Sequence, residues 1–329
     1  MTTFQDCSIG FSVESTYKTY VAPTRFVSFT GESLQWDKDV KQGTGLRVGG
    51  RVPRSIRRVV PTAQGQGDIE LEIPTKGMGL LWQAAMGTGA SNLVSGSLYQ
   101  QVFTLGDTPN SLTIQKGIPR VNGTVDAYSF LGAVVTDFEI DCSNGDIVTA
   151  SFGIDAGDVT TAQAYATPSY ATAPVFHFAQ GIVAVNGTLT APTTTTLGSV
   201  AGAAAASIRS FSVQVEHNYA TDRFNFGGAG RKDKPAVGLR EITGRITVEY
   251  DQTTLRDAFL ADSTIGLLAT FTSGTDVLQV VLPDVRLEGD LPETNDGELI
   301  TVDHDFTVLD NLTAAQPMWL VARTADTAL

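Results

Sequence analysis

The chain has 329 residues, of which 42% are hydrophobic and 17% charged, and its net charge at pH 7 is −13. This length suffices for two domains of ordinary size, each with its own core. Residues 1–6 lack the basic region and apolar run of a signal peptide, no apolar segment has the length of a membrane span, and two cysteines, Cys7 and Cys142, are too few for a disulfide framework. These features argue against a secreted disulfide-rich protein and a membrane protein, and we expect a soluble chain made in a reducing cytosol.

In the first half, a short alternating strand leads into a basic, glycine-rich arm that we place at about residues 38–66. Residues 38–58 contain seven basic side chains and one acidic one. Alternation of apolar and acidic residues predicts a strand from Gly67, a short helix ending at Gly87 follows, and alternation over residues 134–142 predicts a further strand. The apolar face of the helix is formed by Met78, Leu81, Trp82 and Ala85.

The connection between the halves, residues 161–205, is rich in Ala and Thr and nearly uncharged. Within it, residues 175–178 and 182–185 flank a glycine and predict a β-hairpin. The second half then repeats the order of the first. Its elements are a strand at 211–217, a basic arm at about 219–243, a strand at 246–250 and a helix through Leu255 and Phe259.

An offset of 177 residues relates the halves without a gap from residue 33 to residue 82, where Trp82 returns as Phe259. Later the offset falls to 152, since residues 144–149 match residues 296–301, so the first copy carries about 25 extra residues in its connections. A fixed offset over about fifty residues indicates one structural unit present twice, here called the first and second units.

The sequence therefore predicts a mainly β fold with two tandem domains. The first domain covers residues 1–160, the connecting segment with its hairpin covers residues 161–205, and the second domain covers residues 206–329 and includes a C-terminal tail. Each domain is expected to be a β-sandwich or small barrel with one short flanking α-helix and one long arm loop.

Two predicted strands of the first unit carry ladders of carboxylates. The ladders are Asp68, Glu70 and Glu72, and Asp137, Glu139 and Asp141. Period two places each ladder on one sheet face. Such a face has three interpretations: a solvated outer surface, a calcium site, or a surface that repels a polyanion. The calcium site is disfavoured, because calcium ligands usually come from converging loops. In the second unit Asp303 and Asp305 form a shorter ladder, and Arg245 replaces Asp68, so we expect a less acidic face there.

The two arms contain 12 of the 22 Lys and Arg residues. Arg-rich segments often bind nucleic acid, but these arms have few aromatic residues and belong to an acidic chain. A surface loop without a role is a second alternative. A third is that each basic arm binds the acidic body of another copy of the chain, which would explain both the basic arms and the acidic remainder. The residues expected to make such contacts are Arg47, Arg51, Arg54, Arg57, Arg58, Arg231, Lys232 and Lys234.

Signals for an enzyme are poor. The glycines of the arms are not followed by the helix that a dinucleotide site needs, and neither a nucleophile elbow nor a catalytic cysteine signature is present. The histidines, His177, His217 and His304, have no zinc spacing. We expect no catalytic activity, no cofactor and no bound metal.

Several segments carry a family resemblance. They are GFSVESTYKTYVAPTRF at 10–26, GDIELE at 67–72, YSFLGAVVTDFEI at 128–140 and VLPDV at 281–285, together with the basic arm and the short helix. In their order, these features resemble the major tail tube proteins of long-tailed bacteriophages with non-contractile tails. The resemblance covers almost the whole chain.

The resemblance implies a structural virion protein, made in the host cytoplasm, whose stacked rings form a hollow tail tube for DNA ejection. It implies contacts with other copies of the chain, the tape measure protein, the tail terminator and the distal tail protein, with DNA only in transit and no membrane. Because six tube domains usually form a ring, two per chain predict a trimer with pseudo-sixfold symmetry, an acidic bore and arms between rings. The alternatives are another β-rich tail component, such as a tail terminator or decoration protein, or a nucleic-acid-binding β protein that uses the arms.

Overall fold

The computed structural model describes residues 3–204, 206–289, 291, 299–327 and 329. It is mainly antiparallel β with two short helices, α1 (Gly79–Met86) and α2 (Thr254–Leu260), so the predicted fold class is confirmed. Neither helix, nor any other in the described ranges, has the length and apolar character needed to cross a membrane. The strands are, in chain order, β1 (Ser8–Val13), β2 (Arg25–Val27), β3 (Gly31–Glu32), β4 (Gln35–Gln42), β5 (Arg58–Glu72), β6 (Ala90–Ser95), β7 (Leu98–Thr104), β8 (Leu112–Pro119), β9 (Val125–Cys142), β10 (Thr149–Ala156), β11 (Asp158–Thr160), β12 (Gly181–Val185), β13 (Thr188–Thr190), β14 (Ser199–Ala201), β15 (Ile208–Glu216), β16 (Glu241–Glu249), β17 (Ile265–Ser273), β18 (Asp276–Gly289), β19 (Thr301–Val308) and β20 (Trp319–Thr324).

The first unit has two sheets that share the long strand β9. One sheet has the order β4–β5–β10–β9, and the other has the order β2–β1–β8–β9–β11. The chain bends between them at Gly132, where φ is 63° and an added Cβ would lie 2.6 Å from the ring of Tyr17. Between the sheets and α1, the rings of Trp82, Phe138 and Phe152 contact one another and form the centre of the core.

The second unit repeats these pairings. Its sheets have the orders β15–β16–β19–β18 and β12–β17–β18–β20. Thr149 pairs with Glu72 in the first unit, and Thr301 pairs with Glu249 in the second, which reproduces the offsets of 152 and 177. Residues 296–298 of the predicted match lie outside the described residues. The two-domain division and its boundaries stay a prediction.

The strand register departs from the gap-free offset at the arms. By that offset the pair Gln35 and Gln66 should return as Ser212 and Thr243, but Ser212 pairs with Arg245. A shift of two residues keeps every side chain on its original face, so the alternation of apolar and polar residues does not reveal it.

The extra residues of the first unit form the hairpin β6–β7 between α1 and β8. The tail strand β20, which has no counterpart in the sequence of the first unit, pairs with β7 on one side and with β18 on the other. The two unmatched parts of the chain therefore pair with each other and connect the units.

The predicted hairpin of residues 175–178 with 182–185 is not formed. Val175 and His177 make isolated bridges to the first unit, whereas β12 pairs with β17 of the second unit. The hairpin in this segment is β13–β14 instead. Apolar alternation shows that a segment is extended but does not identify its partner, and here each half pairs with a different unit.

Candidate assembly surfaces

One polar face runs across the sheets of both units. Strand β10 lies between β5 and β9, and its register aligns the two predicted carboxylate ladders in rows. The rows are Asp68–Gly153–Asp137, Glu70–Ser151–Glu139 and Glu72–Thr149–Asp141. The structure thus places all six predicted acidic residues on one face, called the acidic face. Next to it on β15, Glu216 lies opposite Asp137; the alternation of residues 211–217 carried the signal for this seventh carboxylate.

Among the described residues, the carboxylates of the acidic face have no cationic partners. No ion pair within the described part of the chain includes any of the six. Ser33 Oγ donates to Asp68 Oδ2 (3.2 Å), and burial, followed by the charge of Asp141, raises the pKa of Glu139. Like charges in neighbouring rows repel, so the face adds negative potential rather than sheet stability.

In the second unit the corresponding face is partly neutralised by ion pairs. Arg245 donates from Nε and Nη2 to the two carboxylate oxygens of Asp305 (2.5 and 3.2 Å), and Thr247 donates to Asp303 (2.7 Å). These residues are cross-strand neighbours on β16 and β19. The polar face is therefore asymmetric between the units, with its excess negative charge in the first.

The first arm extends from the hairpin β4–β5, whose pairing continues to Gln42 and Arg58. Its cations are exposed except Arg54, which is half-buried. Exposed apolar side chains alternate with them: Leu46, Val48, Val52 and Ile56. Residues 43–57 of the arm are therefore mostly exposed and carry both charged and apolar contact groups.

The second arm folds back on the first unit instead. Lys232 is buried and forms an ion pair with Asp155, and Arg231 pairs with Asp158 (3.3 Å) and lies over the ring of Trp36 at 4.9 Å. Ala63 N donates to Gly230 O (3.2 Å). Sequence reasoning did not identify these contacts within the chain. Lys234 is half-exposed, and contacts of either arm with other chains stay a prediction.

His217 anchors the start of the second arm to α1. Its Nε2 donates to Ala85 O (2.7 Å), and its Nδ1 accepts from Arg240 Nε (3.1 Å), which requires the neutral ring. Burial lowers the pKa of His217 to about 4, although the bond to Ala85 opposes this, and the charge of Arg240 lowers it further. His177 and His304 lie apart from this site, and within the described ranges no three His, Cys, Asp or Glu side chains are grouped to hold a metal ion.

A family model described as phage tail tube protein matches residues 5–308, which include strands β1 to β19, both arms and the acidic face. The chain belongs to the phage tail tube protein family. It is thus a structural component of the phage tail. The family match ends at the last residue of β19, so the bridging strand β20 of this tail tube protein lies beyond it. No curated protein matches the chain in a sequence search.

Proposed function

We propose that this tail tube protein closes into rings of three chains, which stack into a tube around a DNA-conducting bore. The observation that carries the proposal is the junction between the units. Strand β9 of the first unit pairs with β15 of the second, from Cys142 opposite Phe211 to Asp137 opposite Glu216. The junction joins β4–β5–β10–β9 and β15–β16–β19–β18 into one run of eight strands within the larger sheet.

Two strands lie at the outer ends of this run, β18, which corresponds to β9, and β4, which corresponds to β15. Among the described residues, each of them has a free edge. Strand β4 corresponds to β15, but among the described residues it pairs only with β5. Residues 286–289 of β18 pair with β19 on one side and with no described strand on the other. Open edges are a liability in a free chain, and pairing β18 of one chain with β4 of the next would repeat the internal junction. Such a heterologous contact closes into a ring.

Three chains with two units each supply the six tube domains that the family resemblance implies. Eight strands from each chain would form a barrel of about 24 strands, and barrels of 16 to 18 strands already leave an aqueous channel. The core and the helices lie on the opposite side of the sheet from the acidic face, so the acidic face would line the bore. Its carboxylates repel phosphate, and without cations it offers no counterion release to hold DNA.

The first arm is suited to contacts between rings. Its exposed cations and apolar side chains project from the sheet, and the body of the chain is acidic, so arm and body attract each other. Ring-to-ring contacts of this kind do not close, and they propagate into a tube.

Assembly of the purified protein tests the proposal. Hollow filaments in negative stain, with three chains per ring by cryo-electron microscopy, are the expected result. Monomers or unstacked rings at high concentration would contradict the tube and favour another tail component, and six chains per ring would contradict the trimer.

A charge reversal in the first arm separates stacking from nucleic-acid binding. Arg54→Glu with Arg57→Glu should stop filament growth while leaving rings intact and DNA binding negligible. Arg120→Glu, in the turn between β8 and β9, is the matched control outside the arms. Salt-sensitive DNA binding by the unchanged protein that is lost in the double variant would instead support the nucleic-acid binder.

A further inference from the structure

A 3-10 turn precedes the first strand of each unit. Phe4–Asp6 leads into β1 and Phe178–Gln180 leads into β12, at an offset of 174 residues. The same side-chain bond closes both turns. It joins Thr3 N to Asp6 Oδ2 (2.9 Å) and His177 N to Gln180 Oε1 (3.3 Å). The two turns are therefore equivalent parts of the repeat.

The segment before the second turn docks on the first unit. Phe176 N donates to Ile73 O (3.0 Å), and Val148 N donates to Phe176 O (2.9 Å), so this segment lies between the end of β5 and the start of β10. All three side chains are buried. His177, one residue further on, makes an antiparallel bridge to Ile147.

The equivalent place on the second unit is open. Tyr250 and Ile300 stand where Ile73 and Val148 stand, and Tyr250 N donates to Ile300 O (3.0 Å) as Ile73 N donates to Val148 O (2.9 Å). Tyr250 is nevertheless 39% exposed, Ile300 46% and the adjacent Leu299 60%. No backbone hydrogen bond from another described segment covers this edge as residues 174–178 cover the first unit.

The first turn likewise makes no hydrogen bond to another described segment. Phe4 is 95% exposed, whereas its equivalent Phe178 is half-buried against the core. We propose that the N-terminal turn of one chain docks on the second unit of a neighbouring chain, at the edge formed by Tyr250, Leu299 and Ile300. The partner is a second copy of this chain, because the turn before β12 already makes the equivalent contact at the internal junction. This inference rests on the proposed ring, in which β18 of one chain lies beside β4 of the next.

A cysteine pair tests the contact in the assembled protein. In a Cys7→Ser background, Thr3→Cys with Leu299→Cys places thiols where His177 and Ile147 pair within the chain, and antiparallel partners lie at disulfide distance. The expected result is a ladder of covalent dimers and trimers on a non-reducing gel. His177→Cys with Ile147→Cys is the matched control, since it should bond within one chain and leave the monomer mass unchanged.

The outcomes of the cysteine test distinguish the two proposals. Rings in the micrographs with only monomers on the gel would overturn the docking while leaving the ring intact. The same ladder from Thr3→Cys with Leu312→Cys, an exposed position away from the edge, would also overturn the docking. Absence of rings would overturn both.

Removing the aromatic side chain gives a second measurement. Phe4→Ser should raise the critical concentration for assembly about tenfold. This factor corresponds to the low end of the range of free energies gained by burying an aromatic side chain. Leu312→Ser, at a comparably exposed apolar position, should leave it unchanged. Equal effects of the two variants, or no effect of Phe4→Ser, would count against the docking.

Discussion

Loss of the Lys232 ammonium group should destabilise the folded chain, because it leaves Asp155 as a buried carboxylate without a counter-ion. The side chain of Lys232 is 1% exposed and that of Asp155 8%. Asp155 Oδ2 already lacks a hydrogen-bond partner among the described residues, so no neighbour replaces the lost cation. Breaking a buried ion pair from one side costs about 3–5 kcal/mol.

The size of the effect follows from the chain length. An unfolding entropy of about 2.1 cal/mol/K per residue gives roughly 0.7 kcal/mol/K for 329 residues, so Lys232→Met should lower Tm by about 4–7 °C. Scanning calorimetry at pH 7 measures this shift. Lys232→Met with Asp155→Asn should recover most of the loss, since it removes both charges. Arg120→Met, which breaks an exposed ion pair with Asp126, should leave Tm nearly unchanged.

The pH dependence of Lys232→Met provides the decisive check. Burial raises the pKa of Asp155, and the hydrogen bond and charge of Lys232 oppose that effect. The folded pKa of Asp155 is already above its unfolded value, and losing Lys232 raises it further, so the variant's deficit is full at neutral pH and shrinks as acid protonates the carboxyl. A loss below about 1 kcal/mol at pH 7, or a double variant as unstable as the single one, would refute the reasoning.

Two further predictions concern His217 and the acidic face. Burial lowers the pKa of His217 from 6.5 to about 4, so as the pH falls the unfolded chain is protonated at this histidine before the folded chain is. The free energy of unfolding should therefore fall by up to about 3 kcal/mol between these two pH values. Denaturant unfolding across pH measures this slope, which His217→Gln should reduce; an unchanged slope would contradict the assignment. Tubes of Glu70→Lys with Glu139→Lys should retain duplex DNA in a salt-sensitive manner during cosedimentation, and equal retention by the unchanged protein would argue against a repelling bore.

The local alternation of apolar and polar residues was sufficient to predict the strands of the acidic face and the side of the sheet on which its carboxylates lie. Ile69 and Leu71 alternate with Glu70 and Glu72, and period two alone assigns the carboxylates to one side of the sheet. The offsets of 177 and 152 also recur in the strand pairing, since Glu249 lies opposite Thr301 as Glu72 lies opposite Thr149. The repeat could therefore be found from properties that recur along the chain.

The different conformations of the two arms could not be predicted in this way. Arg54 corresponds to Arg231, but Ser55 stands where Lys232 stands, and only Lys232 reaches a buried carboxylate. That carboxylate, on Asp155, is 77 residues away in sequence, and its own counterpart in the second unit is Thr307. A run of basic residues indicates a solvated loop equally well in both arms, since the pattern does not encode a distant partner.

The unmatched parts of the chain set the symmetry of the proposed ring. The hairpin β6–β7 and the strand β20 each occur once per chain, and their pairing joins the two units at a second place besides the β9–β15 junction. In the proposed ring the contact between chains would lack this second junction, so the six domain contacts would fall into two classes. That difference would give threefold symmetry, and the hairpin should appear three times per ring even where the sheets themselves appear sixfold.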